Sequence, residues 1–419
     1  MKKHLFTALT LLVSSVLFSQ SIPNGGFEGW NTINYENPLN YQSSNLSNND
    51  GVQSPVNVVK TTDAFHGNYA VKLTTTLSTN GVDTSFAYFA NGDPGKNPPR
   101  GGFPISQLPT GFRFHYKSNI MPNDSSLVLV AFKKNGASIG NYFYAVNATH
   151  STYTLFSKTF SPALSMTPDT VVIGFASSFP FGADPKPVPG NMLQVDSISF
   201  TGITSQPSDL NGDLESWQTI SNSQILGWNI NGQNEGGNYR TTDSYSGTYA
   251  LELQTQTPSF GGGGVSAAFA TTGHFTNNGP PKGGYPYNKL VDTLVFFYKY
   301  LPADPNDSAH IDLSFSLNGV NNYGVQKFLH VSGGYQMVQV PFSNPGLAPD
   351  SLIINIASST YSSYPIPASY IGSDLKIDNM YFKSQKMPVA NFNMQSSGCI
   401  GQPIQLTDNS ANMVSGWNW

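Results

Sequence analysis

One cysteine, Cys399, leaves the 419-residue chain without a pair to join, so neither large domain holds an internal disulfide. Each must stand on its hydrophobic core or on a metal. Charged residues are also scarce, at 11%. Long surface helices need Lys and Glu, so this scarcity disfavours a helical protein. A net charge of −4 gives no electrostatic reason to expect nucleic acid or an anionic membrane as partner. The seven histidines show no H-E-x-x-H spacing, and no EF-hand loop occurs. The glycine run Gly261 to Gly264 lacks the Lys-Ser/Thr that a phosphate-binding loop requires. No apolar run is long enough to span a bilayer. The run from Leu5 to Phe18 follows Met1-Lys2-Lys3 and ends at Ser19-Gln20, the pattern of a cleaved signal peptide over residues 1–20. The mature protein is therefore expected to be secreted, extracellular or on the outer cell surface, with no integral membrane segment.

What the chain has in quantity is glycine (40), proline (29) and aromatic residues (13%), the composition of many strands joined by tight turns. Its strongest signal is an internal repeat. Asn24-Gly25-Gly26-Phe27-Glu28-Gly29-Trp30 returns as Asn211-Gly212-Asp213-Leu214-Glu215-Ser216-Trp217. Thr61-Thr62-Asp63 through Gly67, Tyr69 and Ala70 returns as Thr241-Thr242-Asp243 through Gly247, Tyr249 and Ala250. Pro98 to Pro104 matches Pro280 to Pro286, Pro122-Asn123-Asp124-Ser125 matches Pro305-Asn306-Asp307-Ser308, and Val195-Asp196-Ser197 matches Ile377-Asp378-Asn379. The offsets run from 180 residues (Thr61 to Thr241) to 187 (Asn24 to Asn211). A period so long makes each copy a domain with its own core rather than a solenoid unit.

Each copy reads as short strands without a 3.6-residue pattern. Phe112 to Tyr116 alternates, and Leu127 to Phe132 is a buried-type run ending at Asn135-Gly136. Its counterpart Ile311 to Leu317 ends at Asn318-Gly319. Val171 to Phe175 and Leu352 to Ile356 each follow a Pro-Asp turn. The expected fold is all-β: two tandem antiparallel β-sandwich (jelly-roll) domains, at 21–203 and 208–385.

After Lys386 the pattern changes. Val389-Ala390-Asn391-Phe392, Cys399, Gln405 to Asp408 and Trp417-Asn418-Trp419 resemble the first half of a PKD domain, a small immunoglobulin-like sandwich. Residues 388–419 are expected to be its N-terminal part, with further C-terminal domains missing beyond Trp419. Cys399 either pairs with a later cysteine or is a small buried residue.

The opening N-G-x-F/L-E-x-W and the closing V/I-D-S/N segments resemble the terminal strands of carbohydrate-binding jelly rolls. The stretches from Gly101 to Lys117 and Gly283 to Tyr300 are similar to a carbohydrate-metabolism domain of secreted bacterial proteins. The resemblance implies a structural calcium ion joining first strand to last. Glu28 with Asp196, and Glu215 with Asp378, would supply its carboxylates, and the turns at Asp63 and Asp243 a side chain or carbonyls. Such hard oxygen ligands suit Ca²⁺. The resemblance also implies sugar binding, in which aromatic faces stack on pyranose rings while a few polar groups fix hydroxyls. Tyr142 and Tyr144 in the first copy, and Trp228, Tyr323 and Tyr361 in the second, are the candidate platforms. Arg100 and Lys282 place a positive charge at the same point of both copies. Core packing competes with every one of these readings, and it is favoured for Trp30 and Trp217.

Carboxylate pairs for glycoside hydrolysis are not evident, because the few acids sit mostly in turns, so the protein is not expected to be an enzyme. The expected function is non-catalytic recognition of polysaccharide or glycoconjugate by β-sandwich modules. The alternatives are an adhesive stalk with no small ligand and a glycan-active enzyme.

Overall fold

The computed structural model describes residues 22–49, 52–78, 83–93, 98–179, 187–231, 237–257, 264–276, 279–343, 346–360, 365–383, 391–394 and 406–409. The expected signal peptide, Cys399 and Trp417-Asn418-Trp419 lie outside these residues. Twenty-two strands carry the argument in the body of the chain. Those of the first half are β1 (Trp30–Pro38), β2 (Gln42–Ser43), β3 (Val58–Thr61), β4 (Ala70–Thr74), β5 (Tyr88–Ala90), β6 (Gly111–Asn119), β7 (Ser126–Lys134), β8 (Ala137–Val146), β9 (His150–Thr159), β10 (Thr170–Ala176) and β11 (Met192–Thr201). Those of the second are β12 (Trp217–Ile225), β13 (Asn229–Ile230), β14 (Gly237–Thr241), β15 (Ala250–Gln254), β16 (Phe269–Thr271), β17 (Thr293–Leu301), β18 (Ala309–Leu317), β19 (Val320–Leu329), β20 (Gln336–Pro341), β21 (Ser351–Ala357) and β22 (Asp374–Lys383).

The all-β expectation holds, and the two halves repeat one topology. One sheet runs β8-β7-β10-β5-β2 in the first half and β19-β18-β21-β16-β13 in the second. The facing sheet runs β9-β6-β11-β4-β3, then β20-β17-β22-β15-β14. All these pairings are antiparallel. The hairpins β7–β8 and β18–β19 turn at Asn135-Gly136 and Asn318-Gly319, whose φ angles are all positive, +50°, +79°, +54° and +76°. Two consecutive left-handed residues are what a two-residue hairpin requires, and Asn-Gly supplies them at least steric cost. Each sandwich closes on its own aromatic core, around Phe112, Phe114, Phe132 and Phe175 in one and Phe296, Tyr300, Phe315 and Tyr287 in the other. In the tail, Phe392–Met394 pairs antiparallel with Leu406–Asp408.

The repeated opening segment does not dock where its position in the chain suggests. Ile22 and Phe27 are buried in the core of the second sandwich, with Trp30 packed against it. Leu210 and Leu214 are buried in the core of the first, with Trp217 packed against it. The segments are exchanged. Between them, β1 and β12 form an antiparallel ribbon from Trp30↔Ile225 to Pro38↔Trp217. Every shared residue of the motif has a task in this docking. Asn24 and Asn211, both left-handed, bridge their own turns: Asn24 exchanges hydrogen bonds with Gly29, and Asn211 with Ser216. Gly25 lies on the last strand of the second sandwich, where a Cβ would stand 2.2 Å from the Met380 carbonyl oxygen. A Cβ on Gly212 would stand the same distance from that of Ile198. The backbone N–H groups of Met380 and Ile198 donate to the Gly25 and Gly212 carbonyls, each at 2.6 Å. Phe27 and Leu214 are the apolar plugs, and the indole N–H groups of Trp30 and Trp217 donate to their carbonyls.

A fragment of residues 21–203 thus carries a plug for the absent sandwich and lacks its own. A fragment of residues 39–217 carries Leu210 and Leu214 with the core they fill. We expect 39–217 to unfold cooperatively and 21–203 to be expanded or associated, judged by thermal unfolding and sedimentation. Equal stability of the two fragments would contradict the exchange.

Candidate functional site

The exchange splits each expected calcium set and brings each glutamate to the other set's aspartate. Glu28 lies at the loop of the second sandwich, accepting from the N–H groups of Thr248 and Tyr249 at 2.8 and 3.1 Å. Its neighbour is Asp378, not Asp196. Glu215 likewise accepts from Asn68 and Tyr69 at 2.8 and 2.9 Å and neighbours Asp196. The expected pairings Glu28 with Asp196 and Glu215 with Asp378 are therefore corrected, because the β1–β12 ribbon carries each glutamate into the other half.

Asp196 and Asp378 are fully buried at bulges in the last strands. Each carboxylate gathers three backbone N–H groups: Phe65, His66 and Ser197 for Asp196, and Tyr245, Ser246 and Asn379 for Asp378. Burial still pushes both above the usual aspartate range, opposed by those hydrogen bonds and reinforced by the neighbouring glutamate. For Glu215, desolvation pulls upward but the Tyr69 and Asn68 N–H groups win, holding it below its usual range.

Asp63 and Asp243 do not join these pairs. The Asp63 carboxylate grips Lys117 at 2.6 and 2.7 Å, and its carbonyl accepts from the Tyr153 hydroxyl and the Gln194 amide. Asp243 holds Lys299 at 2.9 Å, and its carbonyl accepts from Tyr335. Among the described residues no group of three or more His, Cys, Asp or Glu is placed to hold a metal. The donor chemistry that remains in each site is two carboxylates, one from the last strand and one from the exchanged opening segment, which suits a hard cation provided carbonyls complete its shell.

The aromatic candidates are mostly structural. Tyr142 is buried over Phe132 and Phe160, its hydroxyl donating to the Pro162 carbonyl. Trp228 is buried against Phe27, its indole N–H donating to Pro23, so it belongs to the exchanged plug. Tyr144 packs against the first core, and Tyr323 stacks on Phe315 at 4.5 Å. Burial raises the Tyr323 hydroxyl to about 12. These four are corrected from sugar platforms to packing residues. Tyr361 lies outside the described residues. Arg100 and Lys282 are exposed on short two-stranded ribbons, in register with Asp93 and His274.

A different surface separates the two halves. On the outer face of the sheet β19-β18-β21-β16-β13, one row crosses five strands in register: Gln326, Asp312, Asn355, Thr271 and Asn229. The row beside it holds Phe328, 41% exposed, then His310, Ala357 and Phe269. The Thr271 hydroxyl donates to the Asn355 side-chain oxygen at 2.7 Å and so orients that amide. His310 Nε2 lies 3.5 Å from Asp312, and burial lowers its pKa against the pull of Asp312 and Asp307. The same row of the first sandwich reads Phe143, Leu129, Gly174, Ala90 and Gln42. Leu129, Ala131 and Val172 form a buried apolar cluster on that face. One sheet face is thus hydrogen-bonding in one copy and apolar in the other. A separate cavity of about 430 Å³ lies between Pro104–Gln107 and Ser205–Ser208 and has no aromatic lining.

No protein-family model and no curated protein matches the chain. Among solved structures, it is similar to the N-terminal CBM22-1–CBM22-2 tandem domain from Paenibacillus barcinonensis Xyn10C, at 9% identity and a TM-score of 0.22. That match covers 88% of this chain and 96% of the other. Truncated AlyQ with CBM32 and alginate lyase domains is similar at 9% identity and a TM-score of 0.18, covering 83% and 99%. Likeness at these scores carries no argument about function. No helix among the described residues is long and apolar enough to cross a membrane.

The raised pKa of Asp196 has a definite sign. Its contribution to stability is full below the unfolded value, about 4, and is lost as pH rises toward the folded value. Asp196→Ala removes an acceptor from three part-buried N–H groups and should cost about 1–3 kcal/mol. The wild-type advantage over this variant in unfolding free energy, measured in chelator, should narrow as pH rises above about 4. An advantage that widens with pH would contradict the placement.

Proposed function

We propose that this protein is a non-catalytic carbohydrate-binding protein whose second sandwich takes glycan on the outer face of the sheet β19-β18-β21-β16-β13. The observation that carries the reading is the in-register row Gln326-Asp312-Asn355-Thr271-Asn229, set where the first sandwich has Leu129, Gly174 and Ala90. The amide and carboxylate groups of Gln326, Asp312, Asn355 and Asn229 match a ligand that offers hydroxyls along its length, while the buried Thr271 hydroxyl orients Asn355. Phe328 adds an exposed ring at the edge of the row. The face holds one carboxylate beside a buried histidine and no facing second acid in the row, which favours binding over hydrolysis.

Calcium belongs to the same proposal. Glu28 with Asp378, and Glu215 with Asp196, would hold it. It would supply the positive charge that each acid pair lacks and fasten the exchanged segment to the last strand. Export to the cell surface or beyond completes the reading, in keeping with the N-terminal signal pattern.

The test is affinity electrophoresis and calorimetry of the chain without residues 1–20 against a panel of soluble polysaccharides. Asp312→Ala with Asn355→Ala should weaken binding at least tenfold, as loss of hydrogen bonds worth about 1–3 kcal/mol each requires. Phe143→Ala on the first sandwich should have no comparable effect. Chelation should lower the unfolding midpoint, and calcium should restore it in a saturable way. No binding by the wild type to any glycan would favour the adhesive-stalk reading, and an unmoved midpoint would remove calcium.

A further inference from the structure

Phe65 and Tyr245 are large aromatic side chains, each 47% exposed, at equivalent turns of the two halves. Neither is a loosely attached surface ring. Phe65 lies flat on His115, 3.6 Å between centroids and 9° between planes, with Tyr153 at its edge. Tyr245 lies flat on Phe297, at 3.5 Å and 10°, with Tyr335 near its edge. One face of each ring is covered, so the exposure falls on the rest of it.

The turns beneath are held from three directions. The buried Asp196 binds the N–H groups of Phe65 and His66, Tyr153 binds the Asp63 carbonyl, and Glu215 from the exchanged segment binds Asn68 and Tyr69. Asp378, Tyr335 and Glu28 hold the second turn in the same way. A ring fixed in advance loses little conformational entropy on binding, which is the condition for a stacking contact to yield affinity.

We propose that these two turns form a second, duplicated binding platform, with Phe65 and Tyr245 each taking the flat face of a neutral pyranose ring in a polysaccharide. The inference rests on the carbohydrate reading above but on a different sheet and different residues. Neutral sugar is specified by charge. Lys117 and Lys299 are closed in ion pairs with Asp63 and Asp243. Those two lysines are therefore not open to a uronate carboxylate.

The test uses the chain without residues 1–20 and soluble β-glucan, xylan and mannan, with polygalacturonate as the charged control. Phe65→Leu with Tyr245→Leu keeps an apolar cover over His115 and Phe297 but removes the flat face. We expect an unchanged unfolding midpoint and, for the neutral polymer that binds, an affinity lower on the order of tenfold. Phe65→Trp with Tyr245→Trp should restore it, and polygalacturonate should not bind at this site. Asp312→Ala with Asn355→Ala should leave residual binding that the leucine pair abolishes. Wild-type affinity in the leucine pair, or in a leucine pair whose midpoint has fallen, would overturn the platform and leave the sheet-face reading standing. Restoration by leucine and tryptophan alike would also overturn it. Absence of binding by the wild type to every neutral polymer would overturn the platform, and absence of binding to polygalacturonate as well would overturn both.

Discussion

The antiparallel ribbon between residues 30–38 and 217–225 carries each opening segment away from its own repeat and into the core of the other. Phe27 and Leu214 are fully buried there, so each sandwich completes its apolar core with residues from the far side of the ribbon. Burying a side chain of this size stabilises by roughly 1.5–3 kcal/mol. Glu28 and Glu215 then hold the receiving turns by their N–H groups. A chain with one cysteine has no disulfide to fasten its halves, and the exchange does that work by packing and hydrogen bonding. It also delivers a second carboxylate to each buried aspartate, a repulsion the fold tolerates because three amides surround each Asp.

The two halves share strand order, hairpin chemistry and the exchanged plug, yet they diverge on one sheet face. Leu127, Leu129 and Ala131 of β7 occupy the positions that His310, Asp312 and Ser314 occupy in β18. The cores behind them remain apolar in both, through Val128, Val130 and Phe132 against Ile311, Leu313 and Phe315. A strand alternates its faces, so outward residues can change character while inward ones keep the sandwich. The division of labour follows: the first face is a covered apolar surface, and the second is dressed with hydrogen-bonding groups.

Much of this was legible in the sequence. The repeat, the strand content, the Asn-Gly hairpins and the importance of Asn24-Gly25 with Glu28 and Trp30 all follow from pattern and turn chemistry. The exchange was not legible, because a motif states what it packs against and not which copy supplies it. Tyr142 and Trp228 misled because an aromatic beside glycine or asparagine looks exposed, whereas both are held inside by hydrogen bonds from their polar tips. Asp312 did carry a signal. Aligning Ser126–Lys134 with Ala309–Leu317 places polar residues against apolar ones at alternate positions. Phe65 and Tyr245 sat inside a matched motif, but only three-dimensional stacking distinguishes a supported ring from an incidental one.

The most direct test of the account is hydrogen exchange, strand by strand, in the chain carrying Phe27→Ala. The truncation leaves a core cavity that should cost about 3–5 kcal/mol. The exchanged arrangement requires protection to fall in β17, β18 and β21 of the second sandwich while β6, β7 and β10 keep theirs. Loss of protection in the first sandwich instead would show that the opening segment packs into its own repeat, and would contradict the account.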